Sequence, residues 1–214
     1  MIRSKRDYLA YLEADRVNLG CSKTLRNYLF HDIWRYQRVL RRLEYQINCK
    51  RGPLHKPREL WLRFRLKRLS REIGVYIVPN NFGPGLAIVH EGTIRVHKNA
   101  RIGANCRIHI DVNIGASGGR PEAPRLGHNV YIAPGAKIFG DITVADGVAI
   151  GANAVVNRSV GEPYISVAGV PAKKISDGGS VAAGWTPPNT YLGEEVGSPS
   201  APGRVPNPDY ASQA

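Results

Sequence analysis

The stretch YIAPGAKIFGDITVADGVAIGANAVV, Tyr131 to Val156, decides the fold. Every sixth residue is aliphatic, at Ile132, Ile138, Val144, Ile150 and Val156. A helix would bring apolar residues back at three and four, and a plain strand at two. Extended toward the start of the chain, the beat runs through Val96, Ile102, Ile108, Ile114, Arg120 and Leu126 as well, and it ends at Val156. A small residue often follows the aliphatic one (Gly103, Gly115, Gly127, Ala133, Ala145, Gly151). A second apolar or small residue sits four positions later (Cys106, Val112, Val130, Ala136, Ile142, Val148, Ala154, Val160). Each unit is therefore a short strand and a tight corner, where a bulky side chain would clash. Three such sides close a coil of about 18 residues, and stacked coils bury a continuous aliphatic column. The spacing predicts a mainly β fold, a parallel β-helix of hexapeptide repeats over residues 74–176.

Arg120 is the one exception to the beat. It lies in GASGGRPEAP, Gly115 to Pro124, after which the register resumes in phase at Leu126. A Gly- and Pro-rich loop extruded from an undisturbed stack is a place where function concentrates.

The flanks differ from this core. Of the net charge of +13, residues 1–73 carry 19 Lys/Arg against 7 Asp/Glu, so the remainder of the chain is close to neutral. This segment reads as helical. In HDIWRYQRVLRRLEYQIN, residues Ile33, Tyr36, Leu40, Leu43 and Ile47 form one stripe, with Asp32 as expected N-cap. After Gly52-Pro53, a second helix from about Pro57 to Ile73 carries Leu62, Leu66, Leu69 and Ile73 on one side. Basic helices of this kind could meet nucleic acid or an anionic membrane. The plainer reading is a solvated face on helices packed against a partner subunit, and no zinc finger, RNP-like pattern or recognition helix argues otherwise. Nucleic acid is therefore not an expected partner. Residues 177–214 lose the period and hold many Pro and Gly, which suggests an extended or disordered tail that Trp185 and Tyr191 could pin. No run is apolar enough to span a bilayer, and the start of the chain lacks a signal-peptide pattern. Cys21, Cys49 and Cys106 are odd in number without metal-type spacing, which points to a reduced, cytoplasmic protein.

The repeat, closed by GVPAKKI (Gly169 to Ile175), resembles the left-handed β-helix acyltransferases. Within them, FGPGLAIVHEGTIRV (Phe82 to Val96), CRIHIDVNIGA (Cys106 to Ala116) and YLEADR (Tyr11 to Arg16) resemble serine O-acetyltransferases, particularly the shorter relatives associated with polysaccharide gene clusters. The resemblance covers roughly residues 8–180. It implies a left-handed coil and acetyl transfer from acetyl-CoA to a hydroxyl, with L-serine first among acceptors. It also implies a homotrimer or a dimer of trimers, with active sites between neighbouring coils and no metal.

His90 matches the catalytic histidine of that family, the base that takes the acceptor's proton. An imidazole suits the task because it can both accept that proton and return one to the leaving thiolate. His109 comes one coil and one position later and is expected close beneath it, with Asp111 nearby. Both are candidates for the acceptor site, and a surface position for His109 is equally open. His97 and His128 read as solvent-facing. The resemblance places acetyl-CoA along Gly115, Ala116, Ala133, Pro134, Gly151 and Ala152, with Lys173 and Lys174 toward its phosphates. The family's two aspartates fall here on Val75 and Val89, and its carboxylate-gripping arginine-histidine pair on Glu122 and Ala123. Arg120 or Arg125 could supply the cation and Glu91 the anion instead. These departures keep open a sugar or another hydroxylated metabolite as acceptor. More distant readings are a metal-dependent hydratase using His90 and His109, and a non-catalytic scaffold.

Overall fold

The computed structural model describes residues 1–187. Residues 188–214 of the expected tail, Tyr191 among them, lie outside the described residues. Four helices lead: α1 (Lys5–Asn18), α2 (Leu25–Phe30), α3 (Asp32–Cys49) and α4 (Lys56–Ile73). α1 starts where the Ser4 hydroxyl accepts from the Asp7 amide at 3.0 Å. α3 differs from the sequence reading at its first residue. Its N-cap is His31, whose Nδ1 accepts from the Trp34 amide at 3.3 Å, and Asp32 stands just inside, paired with Arg35. Asp32 still faces the helix's positive end, so the sequence signal was one position off for an electrostatically sensible reason.

From Val75 onward the chain winds through three sheets in turn. The first holds β1 (Val75–Tyr76), β3 (Ile94–Val96), β6 (Val112–Gly115), β9 (Lys137–Phe139) and β12 (Val155–Val156). The second holds β4 (Arg101–Ile102), β7 (Arg125–Leu126) and β10 (Thr143–Val144). The third holds β2 (Ala87–Ile88), β5 (Arg107–Ile108), β8 (Tyr131–Ile132), β11 (Ala149–Ile150) and β13 (Ile165–Ala168), closed by β14 (Lys173–Asp177). Every pairing is parallel except β13 with β14. Such short strands survive because each side needs only one inward aliphatic and its neighbour above and below. Ile102, Ile108, Ile114, Leu126, Ile132, Ile138, Val144, Ile150 and Val156 are all buried in that column. Small residues at the corners are required by contact distance: a Cβ on Gly103 would lie 2.5 Å from the Gly127 carbonyl oxygen.

Two departures from the regular coil carry consequences. Arg125 and its partner Thr143 are separated by one regular coil, but Arg101 and its partner Arg125 are separated by a longer stretch. The extruded loop accounts for the difference and adds one whole hexapeptide unit, which is why the register returns in phase. The turn from Ala87 to its partner Arg107 is also longer than a regular coil, and the extra length sits in the corner 89–93, between β2 and β3.

The helices are fastened to the first coil by a buried ionic knot. Arg41 is fully buried and donates to Asp15 (2.8 and 3.2 Å), Glu44 (2.9 Å) and the carbonyls of Phe82 (3.0 Å) and Gly83 (2.6 Å). Asp15 in turn accepts from the amides of Gly85 (2.8 Å) and Leu86 (2.9 Å), and Glu44 from that of Asn80 (2.8 Å). Burial alone would weaken the Arg41 cation, but Asp15 and Glu44 outweigh it and raise its pKa above the ordinary value. Such a set is stable only when every charge has its partner.

The chain after β14 is not extended at first. It turns through α5 (Gly179–Ala182) and climbs the coil, with the Ser180 amide donating to Gly147 (2.8 Å). Trp185 is buried and donates its indole N–H to the Asn105 carbonyl at 3.0 Å. One large aromatic supplied the apolar area that the Gly-rich composition concealed.

Ile132→Ala should cost about 2–5 kcal/mol, since the stack cannot close on the cavity. Arg41→Met should cost about 3–5 kcal/mol, because it leaves Asp15 and Glu44 buried without their cation. Urea unfolding measures both.

Candidate active site

His90 stands in the enlarged corner between β2 and β3, and its side chain is exposed. One coil below, the β5–β6 corner holds His109. The two are stacked by the main chain: the Val89 amide donates to Ile108 (3.0 Å) and the His109 amide to Ile132 (3.1 Å). Their ring centroids are 6.2 Å apart. The same corner continues downward through Ala133 and Pro134, then Gly151 and Ala152, by the bonds Ala133 to Ile150 (2.9 Å) and Gly151 to Val167 (2.8 Å). A pair of imidazoles thus heads a track of small side chains running along one edge of the coil.

His109 is the more constrained ring. It packs at 5.2 Å against Tyr131, and its Nε2 is buried without a hydrogen-bond partner among the described residues. Burial, then the Arg107 guanidinium, then His90, lower its pKa to about 4. A neutral imidazole offers one donor and one acceptor nitrogen. An unsatisfied buried nitrogen beside an open corner is ready for a ligand hydroxyl. Arg107 is itself held from the other side, with its guanidinium 5.0 Å from the Trp185 ring.

Other residues singled out in the sequence are placed as follows. Glu91 is exposed beside His90, and Asp111, also exposed, is ion-paired with Lys137 at 3.0 Å. Gly115 and Ala116 close β6 at the next corner, the one that extrudes the loop bearing Arg120. Arg125 faces outward on the second sheet in register with Arg101. The width of the first sheet separates Gly115, Ala116, Arg120 and Arg125 from His90 within one chain. Lys174 is held by Glu162 (2.6 Å) and Asp177 (2.8 Å), whereas Lys173 is exposed. His97 and His128 are half-buried rather than free in solvent. Their Nδ1 atoms accept from the amides of Asn99 (3.3 Å) and Ala104 (3.0 Å) and brace corners. Among the described residues no three His, Cys, Asp or Glu side chains group as metal ligands.

Sequence reasoning missed Arg107 and Tyr131, and it named Trp185 as a pin for the tail without placing it over Arg107. Arg107 and Tyr131 are register partners, but the loop sets them further apart along the chain than one regular coil, so a search at the regular spacing passes over the pair.

No protein-family model matches the chain. A serine acetyltransferase of Staphylococcus xylosus is 35% identical over 130 residues, covering 59% of this chain and 60% of the relative. Among solved structures, Neisseria gonorrhoeae serine acetyltransferase in complex with serine has a TM-score of 0.61 at 27% identity, covering 81% of this chain and 71% of the other. A serine acetyltransferase in complex with CoA has a TM-score of 0.62 at 26% identity, covering 79% and 68%. Over these spans the chain is similar to serine acetyltransferases. It spans less than two thirds of the length of the curated relatives it matches.

The depressed His109 pKa has a sign that can be tested. The unfolded chain binds a proton at this residue below about 6.5, while the folded chain resists it until about 4. The folded state therefore has His109's full contribution above about 6.5 and loses it as pH falls toward 4. Urea midpoints followed over that window should fall more steeply for the wild type than for His109→Gln.

Proposed function

We propose that the protein is an acetyl-CoA-dependent O-acetyltransferase with L-serine as its first acceptor and His90 as its base. One observation carries this reading: His90 and His109 head the same corner along which Ala133, Pro134, Gly151 and Ala152 descend. Small side chains there let an extended pantetheine arm lie against the main chain, with its thioester delivered to the imidazoles. Homology to enzymes solved with CoA and with serine supports the choice of both substrates.

The chemistry follows from the groups present. His90 takes the proton of the acceptor hydroxyl as its oxygen attacks the thioester carbonyl. The carbon–sulfur bond then breaks, and the imidazolium returns the proton to the thiolate, giving the O-acetyl product and CoA. Neutral His109 holds the acceptor by a hydrogen bond to its otherwise unpartnered Nε2. The oxyanion would be met by amides at Gly115 and Ala116, which lie one corner away and must come from a neighbouring coil. We therefore propose a left-handed coil and a homotrimer, in which the loop of one copy, with Arg120 and Arg125, reaches His90 of the next. The three free thiols fit a reducing, cytoplasmic setting.

A second reading keeps the chemistry and changes the acceptor to a sugar or other neutral hydroxyl compound. Val89 immediately before His90, and the buried Ala123 in the loop, favour it, because neither can pair with an ammonium or carboxylate.

His90→Ala should lower kcat by at least about a hundredfold while leaving the affinity for CoA intact. Release of free thiol, measured with L-serine and a panel of hydroxylated acceptors, checks this and separates the two acceptors. Retention of near-wild-type turnover would remove His90 from the mechanism.

A further inference from the structure

The fold and the site leave the outward edge of α4 unused. Its inner side is fully committed, with Leu62, Leu66, Leu69 and Ile73 buried against the rest of the protein. On the opposite side Leu60 is 70% exposed, Trp61 51% and Phe64 65%, and Leu54 in the preceding turn is 91% exposed. Positions 60, 61 and 64 lie on one stripe of a helix. Large apolar side chains this exposed add nothing to folding and mark an interaction surface.

Charge identifies the partner. α4 carries seven Lys/Arg against two Asp/Glu. Glu59 and Glu72 are both taken by ion pairs, with Arg63 at 2.9 Å and Arg68 at 2.9 Å. Arg58, Lys67 and Arg71 have no carboxylate within ion-pair distance among the described residues. Lys67 and Arg71 continue the stripe of Leu60 and Phe64 by further turns, so the edge is apolar toward its start and cationic toward its end. A second copy of the chain would bring like charge against like charge. A nucleic acid backbone would satisfy the cations and leave Leu54 and Leu60 in water. A bilayer surface with anionic headgroups satisfies both, taking aromatic and aliphatic side chains into its interface and Lys and Arg at its phosphates. No helix among the described residues is long and apolar enough to cross a membrane, so the contact is peripheral.

We infer that the α4 edge formed by Leu54, Leu60, Trp61 and Phe64, with Lys67 and Arg71, docks the protein on an anionic membrane surface. The inference does not depend on the acetyltransferase reading.

The protein contains its own reporter. Of its three tryptophans, Trp34 and Trp185 are 7% and 4% exposed, so a change of solvent at a tryptophan reports Trp61. Full-length protein is mixed with vesicles of phosphatidylcholine alone, or of phosphatidylcholine with phosphatidylglycerol, and followed by co-sedimentation and tryptophan emission. The inference predicts binding to the anionic vesicles with a blue shift, about tenfold weaker binding to the neutral ones, and release by salt. Trp61→Ser/Phe64→Ser and, separately, Lys67→Gln/Arg71→Gln should each weaken binding about tenfold with an unchanged melting temperature. Equal partition onto both vesicles, or no binding and no shift, overturns the inference. So does tighter binding to a short RNA duplex than to anionic vesicles. If Trp61→Ser/Phe64→Ser instead splits the assembly in sedimentation, the edge is a contact between copies and the inference fails.

Discussion

An aliphatic side chain must point inward at every sixth position, and the residue after it must leave room for the next coil. Everything else in the coil is a consequence of that pair of demands. Ile132 stacks under Ile108 and on Ile150, each supplying the contact that the others need. A strand this short has no stability by itself, so cohesion comes from the column and its parallel ladders. The same constraint frees the outward positions and corners from any structural duty. Chemistry can therefore be placed at a corner without disturbing the fold, and the enlarged corner at residues 89–93 is such a place.

A stack of coils has two open ends, and the N-terminal helices cover one of them. Arg41, Asp15 and Glu44 make that cover specific, because their bonds reach the main chain of Phe82 to Leu86, the segment that enters β2. His90 comes just after that strand. The knot and the candidate base are therefore on one short, rigid piece of chain, and a loosened knot would move the imidazole. At the other end β14 folds back antiparallel, and α5 and Trp185 return along the coil toward Arg107. Both flanks thus brace the upper coils, where the histidines are.

The coil was legible in the sequence because an inward position admits few residue types, and repetition makes the pattern visible. His90 is singled out by the resemblance of GLAIVHEGTI, and the nearness of His109 to it was legible through a spacing of little more than one coil. The surroundings of His109 were not. Arg107 and Tyr131 are outward positions, where the period imposes no residue type, and the loop insertion hides their register. Trp185 sits in a segment whose composition argues for an extended chain, and only its burial over Arg107 reveals its place. Val75 and Val89 show the reverse case. The fold accepts valine at both, so their meaning lies in which polar groups are missing for an acceptor.

These points converge on the geometry of a thioester beside an imidazole. A crystal structure of the protein with bound CoA tests that most directly. The account predicts the coenzyme along the corner of Ala133, Pro134, Gly151 and Ala152, with its sulfur next to the His90 ring and a neighbouring coil closing the groove. A sulfur found at another corner, remote from both His90 and His109, would contradict it.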